Sequence, residues 1–239
     1  MSLCVVNKDK AKVFELVQGE EELIREKLNL MINRPGKLIV FEGIDGAGKT
    51  TVHKALKERM RGRDDIVFSG EPTDGEYGRK VREALKKGDI PAEGLLFLFV
   101  QDRIEHVKNV IVPALKEGKV VILDRCYLST VAYQASRLFP LKELLFLNSL
   151  FSPAPDLVVY FEIPVEEALE RLRMRGNGLS VFEKEEKLRE VAGNYERVLE
   201  NFDVVRVNAL LPVEELIDEV EKIVVEFISR RLEWYGKIG

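Results

Sequence analysis

FEGIDGAGKTT, residues 41–51, decides how the rest of this 239-residue chain is read. Gly43 to Thr50 satisfies G-x-x-x-x-G-K-[ST], with an apolar run before it and a polar, helix-prone run after it. Glycines in such a loop let backbone N–H groups turn inward, and the helix that follows adds its positive end, so the loop cradles phosphates. On this reading Gly43, Ile44, Asp45, Gly46, Ala47, Gly48, Lys49, Thr50 and Thr51 hold a nucleoside triphosphate. Lys49 reaches the β- and γ-phosphates, and the Thr50 hydroxyl ligates Mg2+. A glycine-rich turn without a ligand would need no Lys-Thr pair. Gly46 leaves Lys49 as the only positive charge in the loop.

The surroundings of the loop set the fold class. Leu38 to Phe41, Ile66 to Phe68, Val120 to Leu123, Leu157 to Ile163 and Val204 to Val207 are short, nearly continuous apolar runs, the pattern of strands buried on both faces. Longer helix-like segments separate them, which implies βαβ units and a mostly parallel sheet. Val213, Leu216, Ile217, Val220, Ile223, Val224, Phe227 and Ile228 recur at helical spacing after Leu211-Pro212 and predict a closing helix that packs on the core. Residues 1–36 stand apart as an amino-terminal helical extension. Leu23, Ile24, Lys27, Leu28 and Met31 share one helical face, and Pro35-Gly36 ends it. This helix covers the domain surface, or makes a dimer contact or a regulatory cap. The main domain is 37–239.

Composition narrows the partners. The chain carries 37 basic and 41 acidic residues, a net charge of −4, so neither nucleic acid nor an anionic membrane is expected as a partner. Charged residues make up 33 % of the chain and glutamine occurs three times, a balance typical of heat-adapted proteins. Cys4 and Cys126 are far apart and fit a reducing compartment rather than a disulfide framework. The first residues lack the apolar stretch of a secretory signal, which makes the cytoplasm the expected location.

A phosphate loop does not name a function, since GTPases, transport ATPases and small-molecule kinases share it. Asn-Lys-x-Asp does not follow the loop, and NKDK at 7–10 precedes it and lacks the final Asp. An LSGGQ-like signature is also missing. VVILDRCYLSTVAYQ (120–134) puts Asp124 and Arg125 at the end of a buried strand, the sheet edge where open α/β folds bind ligands. Asp124 can hold Mg2+ or its water, Arg125 can clamp a phosphate with two parallel hydrogen bonds, and a plain strand-end ion pair is the alternative. Phe99 and Arg103, four apart, share a helix face on which an aromatic ring and a guanidinium could sandwich and bond a base.

The combination resembles the thymidylate kinase family. The matching pieces are FEGIDGAGKTT, EPT with GRKVRE, Phe99 through QDR to His106, DR followed by YLSTVAYQ, and PDLVVYFEIPVEEALERLRMRG, in that order from residue 37 to about 200. The resemblance implies a P-loop kinase fold with a five-stranded parallel sheet flanked by helices, a mobile lid over about 171–184, and commonly a homodimer. It implies ATP- and Mg2+-dependent phosphorylation of dTMP. Asp45 would contact the acceptor's sugar or organise its phosphate. Phe99 would stack on thymine, Arg103 would bond the base edge and Arg125 would hold the acceptor phosphate. Ser129, Thr130, Tyr133 and Gln134 would line the sugar and base pocket, with Tyr133 disfavouring a ribose hydroxyl.

Gly70, Cys126 and the lid piece depart from the family pattern, and Gly46 marks the kind of member this chain resembles. Gly70 stands where the family usually has Arg, and Arg79 or Arg82 would compensate in the phosphate clamp. Cys126 replaces the usual Tyr or His as a small buried residue. Gly46 places the chain among members whose arginine comes from the lid. The lid piece reads SVFE (180–183), one arginine short, which leaves Arg171, Arg173 and Arg175. Arg171 would meet the bound nucleotide, and Arg175 or Arg173 would touch the transferring phosphate. GNG at 176–178 gives hinge-like flexibility, and Phe182 would close over the thymidine. A kinase for another nucleoside monophosphate, or a nucleotide-binding regulator without turnover, remains the competing reading.

Overall fold

A computed structural model describes residues 20–32, 34–174 and 181–235. Its centre is a five-stranded sheet of order β2-β3-β1-β4-β5, with β1 Lys37–Glu42, β2 Ile66–Gly70, β3 Val120–Asp124, β4 Leu157–Glu162 and β5 Val204–Asn208. Every neighbouring pair is parallel, as the α/β reading predicts. The five strands fall on the five apolar runs, because Val, Ile, Leu and Phe on both faces of a strand need helices on both sides to cover them. Ile39, Val40, Phe41, Val121, Ile122, Val158, Val159 and Phe161 form the dry middle of that sandwich.

The amino-terminal helix α1 (Glu21–Ile32) precedes β1, and α2 (Lys49–Arg59) follows the phosphate loop. Helices α3 (Glu76–Lys87) and α4 (Ala92–His106) lie between β2 and β3. α4 runs through a π-helical turn, Val107–Ile111, into α5 (Val112–Lys116). Pro113 explains the turn: its ring would clash with the carbonyl of Asn109 in a regular helix, and the wider turn relieves the clash. Helices α6 (Tyr127–Gln134) and α7 (Leu141–Phe151) join β3 to β4. α8 (Val165–Met174) and α9 (Val181–Leu199) join β4 to β5, and α10 (Val213–Tyr235) closes the chain.

Helix α1 packs on α5 and α7. Leu23 is buried in the core, Glu26 pairs with Lys116 at 2.6 Å, and Lys27 donates to the Ser149 carbonyl. Arg34 donates to the Ala154 carbonyl at 3.0 Å and pairs with Asp156, which also binds Lys37 at 3.0 Å. The side chains of Leu28 and Met31 lie outside the described residues. On the far side, Arg59 of α2 meets Glu214, Asp218 and Glu221 of α10 at 3.2, 2.6 and 2.7 Å.

Candidate active site

The register of the sheet builds the site. Phe41 of β1 lies opposite Asp124 of β3, so the phosphate loop and Asp124-Arg125 leave adjacent strands at the same edge. Thr50 Oγ1 donates to Asp124 Oδ2 at 2.5 Å, which places the two expected metal ligands side by side. Asp124 Oδ1 is buried without a hydrogen-bond partner. A buried carboxylate oxygen of that kind calls for a donor or a cation, so the pair fits Mg2+. Among the described residues no group of three or more His, Cys, Asp or Glu clusters as a metal cage. Mg2+ bound beside phosphates uses only one or two protein ligands, so the pair is the right size.

Lys49 is the first residue of α2, which begins after Gly48 in a left-handed conformation (φ 91°). Its Nζ curls back to the Ile44 carbonyl at 2.8 Å. Burial, and then the charge of Arg125, lower its pKa to about 7, against the pull of Asp45, Asp124 and Glu42. The ammonium is thus poised to gain from a polyanion.

Arg125 has the unusual φ of 69° for a non-glycine residue, and its backbone N–H donates to the Phe41 carbonyl at 3.0 Å. Its Nη1 donates to Ser129 Oγ at 2.9 Å and its Nη2 to Asp45 Oδ1 at 2.5 Å. The guanidinium lies 5.4 Å from the Tyr133 ring centre, and the Tyr133 hydroxyl accepts from the Asp45 N–H at 2.9 Å. Loop, strand end and α6 are thereby one unit around a cation. The Ser129 hydroxyl is committed inside that unit, to Arg125, Glu42 and Tyr195. Gln134 is half-buried at the end of α6.

A second charged cluster lies at the end of β2. Arg103 is 1 % exposed and donates from Nε and Nη2 to Glu71 Oε2 at 3.1 and 2.6 Å, from Nη2 to Thr130 Oγ1 at 2.9 Å, and from Nη1 to Asn148. Of its five N–H groups, one on Nη1 is left over for a ligand edge. His106 Nδ1 lies 3.1 Å from Glu71 Oε1 and its Nε2 2.8 Å from Ser69 Oγ. Phe99, one turn before Arg103 on α4, is half-buried.

Burial pushes the Glu71 carboxyl up, but the Arg103 charge and His106 outweigh it and leave its pKa below the ordinary carboxylate range. A depressed carboxylate contributes stability above its unfolded pKa of about 4.3, and that contribution is lost as pH falls through the folded value. Glu71→Ala strands the Arg103 charge. We expect a loss of about 3 kcal/mol at pH 7, or roughly 6–12 °C in melting temperature. A melting temperature unchanged within about 2 °C would show that the cluster adds nothing.

The sequence that builds this site is similar to those of known proteins. The family profile described as Thymidylate kinase matches residues 41–220. A probable thymidylate kinase of Pyrococcus abyssi is 43 % identical over 198 residues, covering 79 % of this chain and 96 % of that protein. The thymidylate kinase of Desulfotalea psychrophila is 40 % identical over 206 residues, covering 84 % of this chain and 98 % of that protein. That of Akkermansia muciniphila is 46 % identical over 144 residues, 60 % of this chain and 70 % of its own length. The chain belongs to the thymidylate kinase family.

The positions that depart from the thymidylate kinase pattern have local reasons. Gly70 pairs with Asp124 across β2 and β3, and a Cβ on it would lie 2.8 Å from the Asp124 carbonyl oxygen. The close strand approach and the missing side chain go together. Arg79 Nη1 donates to the Asp74 carbonyl at 2.5 Å, and Arg82 donates to the Pro72 carbonyl at 2.9 Å and the Asp74 carboxylate at 2.8 Å. Both arginines are exposed on α3, beside the turn that follows Glu71. Cys126 caps α6, its Sγ accepting from the Leu128 N–H at 3.5 Å, and burial pushes its thiol pKa up. Gly46 has φ 90°, and a Cβ there would lie 2.6 Å from the Ala168 carbonyl oxygen of α8.

At the start of the segment expected to act as a lid, Arg171 donates to the Gly46 carbonyl at 3.4 Å and to the Ala209 carbonyl at 2.8 Å, so it fastens α8 to the phosphate loop and to the end of β5. Arg173 is exposed in the last turn of α8. Arg175, GNG at 176–178 and the side chain of Phe182 lie outside the described residues. Sequence reasoning missed Glu42, Glu71, Asn148 and Tyr195. The available signal was a carboxylate at the end of a buried strand for Glu42 and the acid of EPT for Glu71.

Proposed function

We propose that this protein transfers the γ-phosphoryl group of ATP to dTMP, giving dTDP and ADP. The observation that supports this best is the junction of phosphate loop, Thr50-Asp124 pair and Arg125 across β1 and β3, in a chain of this family. The acceptor phosphate is already anionic, so no general base is required, and positioning with charge neutralisation carries the reaction. Gly43 to Thr51 wrap the donor phosphates, and Lys49 meets their outer charges. Thr50 and Asp124 would hold Mg2+, which when bound neutralises charge on the β- and γ-phosphates. Arg125 grips the acceptor phosphate from the opposite side, supplemented by Arg79. Asp45, Tyr133 and Gln134 face the sugar and base, Phe99 stacks on thymine, and the spare Nη1 proton of Arg103 addresses the base edge. Thr130 and Ser129 hold Arg103 and Arg125 in place. The lid, with Arg173, Arg175 and Phe182, closes over the pair and excludes water.

A panel of dTMP, dUMP, UMP, CMP and AMP with ATP tests the assignment. Phosphorylation of dTMP well above the others is expected. If dTMP is inert while another monophosphate reacts, the acceptor is wrong. ATP binding without transfer to any of them would identify a regulator.

Lys49 adds a pH signature. With a pKa of about 7 in the free protein it is mostly neutral at pH 8, and the polyphosphate of ATP restores its proton. ATP binding at pH 8 should then take up close to one proton, and affinity should fall as pH rises from 7. Calorimetry in two buffers of different ionisation enthalpy measures the uptake. No uptake at pH 8, or uptake retained in Lys49→Ala, would refute the assignment.

We further propose a cytoplasmic homodimer adapted to heat. Exposed Leu85, Phe97 and Phe146 on α3, α4 and α7, of which α4 packs against both others, supply apolar surface for a second copy. The Arg59 network supports heat adaptation. A monomeric mass in solution, or a melting temperature below about 60 °C, would count against the respective proposal. Among the described residues no helix is long and apolar enough to cross a membrane.

A further inference from the structure

Glu42, the last residue of β1, is completely buried. Its hydrogen bonds come from neutral donors: Cys126 N–H to Oε1 at 2.8 Å, Ser129 Oγ to Oε2 at 2.6 Å and Tyr195 OH to Oε2 at 2.9 Å. A buried carboxylate costs several kcal/mol of desolvation, which calls for a reason to keep it.

The reason lies in the direction of one proton. The Ser129 hydroxyl has a single hydrogen, and Glu42 accepts it. The Ser129 lone pairs are then free to face Arg125, whose Nη1 donates to Oγ at 2.9 Å. Tyr195, on α9, reaches the same carboxylate oxygen and lies 2.8 Å from Ser129 Oγ. The end of β1, the first turn of α6 and the helix after the 175–180 segment therefore meet on one carboxylate.

We infer that Glu42 is a positioning residue whose carboxylate orients the Ser129 hydroxyl so that Arg125 is held ready for the acceptor phosphate, with Tyr195 fastening α9 to the same anchor. The kinetic consequence rests on the proposed function, whereas the anchoring of Arg125 is independent of it.

Glutamine cannot replace the carboxylate, although its volume is the same. The Cys126 N–H requires an acceptor at Oε1, so the amide carbonyl of Glu42→Gln stays there and its NH2 faces Ser129 and Tyr195. That group donates into the Ser129 lone pair used by Arg125, and the guanidinium loses a partner without any cavity being opened.

Nitrogen-resolved NMR of the arginine side chains in the unliganded protein reads this directly. In the wild type the Arg125 Nη groups should give separate resonances, because held hydrogen bonds slow rotation of the guanidinium. In Glu42→Gln and in Ser129→Ala they should coalesce while the melting temperature stays near wild type. In the same variants KM for dTMP should rise about tenfold, the scale of one charge-assisted hydrogen bond, with KM for ATP changed by less than about twofold. Separate Nη resonances retained in Glu42→Gln, or an equal rise in both KM values with a lowered melting temperature, would overturn the inference. If Glu42→Gln does not fold, Glu42→Asp replaces it: the shorter side chain withdraws the carboxylate from the Ser129 hydroxyl, and the same coalescence is expected. Coalescence on schedule in a protein that ignores dTMP would leave the anchor standing and refute only the acceptor.

Discussion

Arg125→Ala should lower kcat/KM for dTMP by about 10³-fold, the upper range for losing one preorganised charge donor at a reacting group. Two effects combine. The guanidinium that would meet the acceptor phosphate is gone, and the Asp45 carboxylate, now paired to it at 2.5 Å, is left facing an incoming anion. The fold itself should tolerate the change, because the backbone bond from residue 125 to the Phe41 carbonyl does not involve the side chain. The loss should therefore appear against dTMP far more than against ATP. Arg125→Lys should recover only part, since an ammonium cannot bond Ser129 and Asp45 as a fork. Arg79→Ala, at a supplementary position, should raise KM for dTMP with a smaller total loss. Steady-state kinetics with each substrate varied measures all three. A loss below about tenfold for Arg125→Ala would remove it from the phosphate grip.

The second large effect concerns the segment proposed to act as a lid. A phosphate-loop arginine at position 46 is excluded here by two independent features: the left-handed φ of 90° and the Ala168 carbonyl oxygen 2.6 Å from any Cβ. Charge for the transferring group must come from elsewhere, and Arg171 is already bonded to the Gly46 and Ala209 carbonyls. We expect Arg175→Ala or Arg173→Ala to lower kcat by about 10³-fold, as removal of an arginine finger does. Gly46→Arg should destabilise the protein instead of replacing the lid charge. Full kcat in both alanine variants would show that the lid supplies no catalytic arginine.

The sheet was legible because its signal is local. Short, β-branched runs such as LIVF and VVIL, separated by helix-length segments, fit strands buried on both faces, and the phosphate loop follows the central one. The junction of Thr50 with Asp124 followed from a known loop and a strand end. What sequence could not display was the partnership of groups far apart in the chain. Glu42 bonds Tyr195 across 153 positions, and Arg103 bonds Asn148 across 45. Read in one dimension, Asn148 is a polar residue in an apolar helix and Tyr195 an aromatic among charges. The Ser129 hydroxyl donates to the buried Glu42 carboxylate, 87 positions away, a partnership that pocket-lining residues in sequence do not reveal. Gly70 and Gly46 read as missing arginines, and close backbone approach is the physical content behind both.

The amino-terminal helix carries a consequence for synthesis. Lys27 of this helix bonds Ser149, 122 positions downstream, and Arg34 and Lys37 just after it bond Ala154 and Asp156, 120 and 119 positions downstream. At 5–20 residues per second, a ribosome delivers them roughly 6–24 s after the helix has emerged. For that interval α1 lacks α7, one of the two helices it packs on. The helix therefore stays unseated until residues 90 to 122 positions downstream of its own have been made.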